Sequence, residues 1–169
     1  MKLAAALGQM YGRRRLTRLE IGIYAAGTAV LVAVFANVLL DYMELAEKTS
    51  VHVTLHVVSS ALDRRAATDI LRGRPEAPGA WSGRNPFELA GAAPASFAGE
   101  LGERTLASLE RPCWTFDGRS GELIYLPRLR RGLQTADPDG VLRFRLTARP
   151  TGGGYWLVST SSYEWRAVD

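Results

Sequence analysis

Sulfur, imidazole and one-sided charge are scarce in this chain of 169 residues, and each scarcity excludes something. The only cysteine is Cys113, so no disulfide staples the domain to itself and its stability must rest on packing. A thiol nucleophile wants a histidine beside it. The two histidines, His52 and His56, fall in a segment of helical pattern far upstream, and a small buried side chain is the role expected of Cys113. The histidines stand four apart, which on a helix puts both imidazoles on one face. No Cys, Asp or Glu follows at a spacing that completes a metal site, so both are expected to be solvated. Gly152-Gly153-Gly154 lacks the Lys-Ser/Thr of a phosphate loop and reads as a hairpin turn. With no nucleophile beside a base and no paired carboxylates, the expectation is a chain that is not an enzyme. No cofactor, metal or small-molecule substrate is implied.

Charge is missing where it would matter. The net charge is +4, but Lys2, Arg13, Arg14, Arg15 and Arg18 all precede Asp41, against Glu20 alone among the acids. Removing five of 21 basic and one of 17 acidic residues leaves 16 of each from Asp41 onward, a balance of zero. That part brings no basic bias to a phosphate backbone, and no nucleic-acid partner is expected.

Charge is absent altogether from Ile21 to Leu40, a run whose polar side chains are Thr28 and Asn37. At about 1.5 Å per residue a helix of this run spans roughly the 30 Å of a bilayer's hydrocarbon. Ile21, Ile23, Val30, Leu31, Phe35 and Leu40 are among its lipid-facing residues. The basic flank before it, against Asp41, Glu44, Glu47 and Lys48 after it, orients the N-terminus to the cytoplasm. In a bacterium this is a single pass of the inner membrane with the remainder in the periplasm. A cleaved secretory signal is the competing reading, but its apolar region runs about 7–15 residues and ends at small side chains. This run is longer and ends in Leu39-Leu40-Asp41-Tyr42.

Glycine and proline are absent from Thr28 to Arg72, while Val51, Leu55, Val58, Leu62, Ala66 and Ile70 recur at helical spacing. Val51 to Val57 also alternates like a strand, yet the uninterrupted run favours helix, stopped by Gly73 and Pro75. One helix of about 55 residues results, lipid-facing first and amphipathic after. Between Arg74 and Arg111 come Gly, Pro and Ala with scattered Trp81, Phe87, Leu89, Phe97 and Leu101. This suggests a wrapping loop with helical turns near Asn85–Ala90 and Pro94–Leu109, each introduced by an X-Pro step. From Cys113 the pattern is strands: C-W-T-F-D, the turn Gly118 to Gly121, then E-L-I-Y-L-P as a hairpin. A loop with the turn Asp137 to Gly140 follows, then V-L-R-F-R-L-T-A-R, the turn Pro150 to Gly154, and Y-W-L-V-S-T-S-S. Leu142, Phe144 and Leu146 alternate with Val141, Arg143, Arg145 and Thr147, so one sheet face should be dry and the other wet. Trp114, Phe116, Tyr125, Phe144 and Trp156 are expected in its core. The fold class is α+β, a long N-terminal helix on a four-stranded antiparallel sheet. The organisation is 1–15 basic segment, 16–43 membrane half of the helix, 44–73 amphipathic half, 74–112 wrapping loop, 113–169 sheet.

Leu16-Thr17-Arg18-Leu19-Glu20 opens the apolar run, and Tyr42 ends it. With the long helix and small sheet, these residues make the chain resemble type IV pilins and type II secretion pseudopilins. N-P-F-E-L at Asn85, S-F-A-G-E-L at Ser96 and C-W-T-F-D-G-R-S-G-E-L-I-Y-L-P-R at Cys113 are similar to segments of pseudopilin-like minor components. The resemblance implies a pilin-like fold and assembly through the helix with other pilin-like subunits. It gives Leu16, Thr17, Glu20 and Tyr42 assembly roles, Glu20 pairing with a neighbour's N-terminal amine; headgroup-depth pairing with Arg13 to Arg18 is the alternative. Small residues at Gly22, Ala25, Ala26, Ala29 and Ala33 suit close helix approach. Arg128, Arg130 and Arg131 form a basic knot that reads as a solvated loop or a subunit contact. Two departures stand out: Arg15 occupies the place of the glycine after which such leaders are cut, and the run lacks proline. They keep a second reading open, an unprocessed single-pass scaffold among inner-membrane platform proteins.

Overall fold

A computed structural model of the chain describes residues 17–74, 77, 79–149 and 154–166. It divides into two compact units, Met1–Leu40 and Asp41–Asp169. Helix α1, Arg18–Leu71, belongs to both, and Val51 to Val57 lies inside it as helix rather than strand. No proline or helix-ending glycine interrupts it until Gly73, whose φ of 68° ends it in the left-handed region.

Within the Asp41–Asp169 unit, α2 is Pro86–Ala90. The strands are β1 Phe97–Glu100, β2 Cys113–Asp117, β3 Glu122–Leu126, β4 Leu133–Thr135, β5 Leu142–Ala148, β6 Tyr155–Ser159 and β7 Tyr163–Trp165. The architecture is α+β, but the sheet is not the four-stranded antiparallel one expected. It is a mixed five-stranded sheet in the order β1-β2-β3-β5-β6, accompanied by a two-stranded sheet of β4 and β7. β2, β3, β5 and β6 pair antiparallel with their neighbours, and β1 joins β2 in parallel. The extra strand comes from the segment expected to turn helically between Pro94 and Leu109. Phe97–Glu100 is extended there, because Ser96 accepts from Trp114 N–H and Leu101 N–H donates to Phe116, leaving only a 3₁₀ turn at Leu106–Ser108. The turn at Asn85 does form α2. Asn85 accepts from the Phe87 N–H at 3.1 Å, Pro86 starts the helix, and Gly91 caps it at φ 63°.

The core lies between α1 and the sheet. Val51, Val58 and Leu62 are buried from the helix, with Leu55 and Ala66 packed beside them. They meet Leu123, Leu142, Phe144 and Leu146, together with Trp81, Phe87 and Trp114. Trp81 stacks on Tyr155 with ring centroids 4.5 Å apart, and Arg65 reaches over the Trp81 ring while donating to the Leu89 carbonyl at 2.6 Å. These contacts bind the wrapping loop to the last turns of α1.

Two expectations about the sheet need correction. The outer face is not simply wet: Cys113, Ile124, Leu126 and Val141 form a second buried cluster, covered by Leu106 and Leu109. The 3₁₀ turn folds over that end, which is why Cys113 is buried and free. Trp156 is not in the core; it alternates outward from Tyr155 and is 46% exposed. The hairpin Gly118–Gly121 forms as expected, whereas most of the turn from Pro150 to Gly154, including Gly152 and Gly153, lies outside the described residues.

Gly121 closes the β2–β3 hairpin at φ 70°, and a Cβ there would stand 2.8 Å from the Gly83 Cα. Both the conformation and the backbone contact exclude a side chain. Gly121→Ala should therefore destabilise the domain by about 2 kcal/mol, read as a lowered midpoint in denaturant unfolding of the full chain in detergent.

Candidate assembly surface

The first described residue, Thr17, caps α1. Its carbonyl accepts from Ile21 N–H at 3.0 Å, and its hydroxyl oxygen accepts from Glu20 N–H at 3.3 Å. The Glu20 carboxylate reaches back to the Thr17 N–H at 2.7 Å and the Thr17 hydroxyl at 3.1 Å. Thr-x-x-Glu is thus a capping box, in which two otherwise orphaned amides are satisfied reciprocally. This gives Glu20 a local task beside any pairing with a neighbour. Leu16, like Arg15 and the rest of the basic segment, lies outside the described residues.

Ile21, Ile23, Val30, Leu31, Phe35 and Leu40 are all solvent-accessible on α1. This is the one helix, among the described residues, long and apolar enough to cross a membrane. Asn37 donates to the Ala33 carbonyl at 2.9 Å, so a polar side chain in the apolar run finds a main-chain acceptor. Among the described residues, and apart from the helix's own backbone, no atom lies within 4 Å of where a side chain at Gly22 or Gly27 would sit.

In the Asp41–Asp169 unit, α1 carries apolar residues on two sides. At 100° per residue, Val51, Leu55, Val58, Leu62 and Ala66 share the side turned to the sheet. Tyr42, Leu45, Ala46, Val53 and Val57 share the opposite side, and all five are exposed, Tyr42 by 67%. Thr49 and His56 fall within that second side and His52 at its margin, all exposed.

The inward side begins with a carboxylate. Glu44, seven residues before Val51, is only 3% exposed. Its Oε1 accepts from Gly132 N–H at 2.8 Å and from the Trp165 indole N–H at 3.0 Å. One turn on, Glu47 accepts from the Tyr125 hydroxyl at 2.8 Å and from the main-chain N–H groups of Arg128 and Leu129 at 2.7 and 3.1 Å. Lys48 donates to the Trp165 carbonyl at 2.6 Å. Three successive polar positions of α1 therefore latch the loop after β3 and the strand β7. Hydrogen bonds to charged partners of this kind are the strong ones.

The latch determines where the arginine knot goes. Arg128 is held by its main chain, Arg130 lays its guanidinium against Gly140, and Arg131 pairs with Asp41 at 3.4 Å. On the outer sheet face, Arg143 binds Asp137 at 2.6 Å and Asp139 at 3.1 Å, and Arg145 binds Glu122 at 3.1 Å.

The Tyr125 phenol is pushed well above its ordinary value of 10.0, first by burial and then by the Glu47 carboxylate that accepts its proton in a hydrogen bond. Sequence reading missed the latch because Glu44, Glu47 and Lys48 look like the polar flank of a membrane span. The signal was phase: Glu44, Val51 and Val58 are seven apart and fall on one side. No protein-family model, curated protein or solved structure matches this chain.

Glu44→Ala would leave the Gly132 and Trp165 donors without their acceptor. A loss of about 3 kcal/mol is expected, with faster amide exchange at Gly132 as the local readout. For Tyr125 the raised pKa stabilises the neutral, folded form. That contribution is complete below the unfolded value near 10 and is lost as pH climbs above it. Alkaline titration should therefore ionise Tyr125 only together with unfolding. Tyr125→Phe should flatten the stability decline above pH 10.0 while lowering stability at neutral pH.

Proposed function

We propose that this chain is a minor pilin-like or pseudopilin-like structural subunit of a type II secretion or type IV pilus system. It sits in the bacterial inner membrane with its N-terminus in the cytoplasm and its sheet domain in the periplasm. It assembles through α1 with other pilin-like subunits. The observation that carries this reading is the second apolar stripe of α1, Tyr42 to Val57, which the chain's own sheet leaves uncovered. A helix that is apolar beyond what its own domain covers is built for other helices. The opening Leu16-Thr17-x-x-Glu20, the small residues from Gly22 to Ala33, and the packing of a long helix on a small sheet support the same reading. The pairing of Arg131 with Asp41 favours a structural use of that member of the arginine knot, and exposed Arg128 and Arg130 are the members offered to a partner.

A second reading is favoured by one residue. Arg15 stands where leader cleavage in that family requires glycine, so the chain would remain an unprocessed scaffold of the same inner-membrane platform. Intact mass from the native membrane separates the two: a chain beginning at Leu16 supports the subunit, and retention of residues 1–15 supports the scaffold.

Glu20 offers a finer test. Gln retains the acceptor needed for the capping box but not the charge. If Glu20 pairs with a neighbour's amine, Glu20→Gln and Glu20→Ala should both lose co-purification with other pilin-like subunits. Recovery with Gln but not Ala would assign Glu20 to helix capping alone, and full recovery with both would remove its assembly role.

A further inference from the structure

The five-stranded sheet has two edges, and they are built differently. At one, β1 is four residues long and its register with β2 is irregular between Phe97 and Glu100. Arg104 folds its guanidinium onto the carbonyls of Ala98 and Glu100. A short, irregular strand closed by a cation is how sheets discourage pairing with another chain.

β6, at the other edge, has none of these devices. Its sequence Y-W-L-V-S carries no charge and no proline, and it runs in regular register with β5 through five pairs. The hydrogen-bond phase follows from its two ends. Arg149 N–H donates to the Gly154 carbonyl, and Thr160 N–H donates to the Arg143 carbonyl. Bonded and non-bonded pairs alternate in an antiparallel ladder. Arg145–Val158 and Thr147–Trp156 are therefore bonded pairs, and Tyr155, Leu157 and Ser159 turn their N–H and C=O groups away from β5. Among the described residues no main-chain group pairs with them there. Trp156 supplies an independent sign. Every other exposed large apolar residue among those described belongs to α1, yet Trp156 stands 46% exposed on the outer face beside this open edge.

We propose that β6 is a strand-pairing edge whose occupant is β6 of a second copy of this chain, antiparallel about a two-fold axis at Leu157. The register is self-complementary. Leu157 faces Leu157 and Tyr155 faces Ser159, so the residues with outward main-chain groups meet one another, each pair exchanging two hydrogen bonds. Trp156 of one copy then stands opposite Val158 of the other at a non-bonded position, where side chains approach most closely and an aromatic–β-branched pair covers the indole. An uncharged strand meets its own copy without like-charge repulsion. An interface this small is weak between free molecules. Two chains held in one membrane by the Ile21–Leu40 segment meet at a raised effective concentration, which compensates. The pairing does not depend on the pilin-like reading.

The test is disulfide trapping with the full chain purified and reconstituted in lipid. The double variant Trp156→Cys with Val158→Cys places thiols across the two-fold at non-bonded positions, on exposed or half-exposed side chains. Under a mild oxidant most of it should run as a covalent dimer without reductant, whereas the wild type, with Cys113 buried, should not. Arg145→Cys with Thr147→Cys puts thiols on the same face one strand further in and should stay monomeric. A monomeric Trp156/Val158 variant, or equal trapping of both pairs, would overturn the proposal. So would trapping to a different protein in native membranes with no dimer of the purified chain.

Discussion

A helix with apolar residues on two opposite sides and one small sheet to cover them is the constraint on which this protein turns. Val51, Leu55, Val58 and Leu62 find their partners in Leu123, Phe144, Leu146 and the aromatic cluster around Trp114. Tyr42, Leu45, Val53 and Val57 stay exposed among the described residues. Burying apolar area is the main favourable term in folding, so the inner side accounts for the domain. The outer side is the part of α1 that folding leaves unused.

How a sheet this small holds its register on a helix is answered by charge rather than by apolar contact. Glu44 and Glu47 each gather donors from segments more than eighty residues away in sequence. Glu44 is buried and Glu47 half-buried; these bonds offset the lost hydration of each, while Glu44 Oε2 has no partner among the described residues. Here the contacts are main-chain N–H groups, a phenol and an indole, groups that have few other partners at those positions. The same latch ties β7 and the loop before β4, and with them the second sheet, to the helix.

Much of this was legible in the sequence, for physical reasons that differ by element. α1 was readable because helix period and the absence of Gly and Pro agree over dozens of residues. β2, β3, β5 and β6 were readable because alternation and turn glycines bound them. β1 was not: F-A-G-E has weak strand propensity and becomes extended only because β2 offers it hydrogen bonds. β4 and β7 are three residues each, too short to carry a pattern. The aromatic character of Trp156 suggests the core, whereas its phase, one residue after Tyr155, points outward. At the assembly surface, the Thr17–Glu20 pair was visible as a motif, but its capping geometry needed coordinates, and the second stripe emerged only once the first was known to be the one the sheet covers.

If the outer stripe of α1 packs against another helix, as proposed, the contact should be felt at Val53. A spin label at Val53, measured in native membranes, addresses it directly. The label should be immobilised and shielded from water-soluble relaxants, with both effects lost when the chain is dispersed as monomers in detergent. A label that is equally mobile and equally accessible in the two settings would contradict it, leaving α1 as an anchor and nothing more.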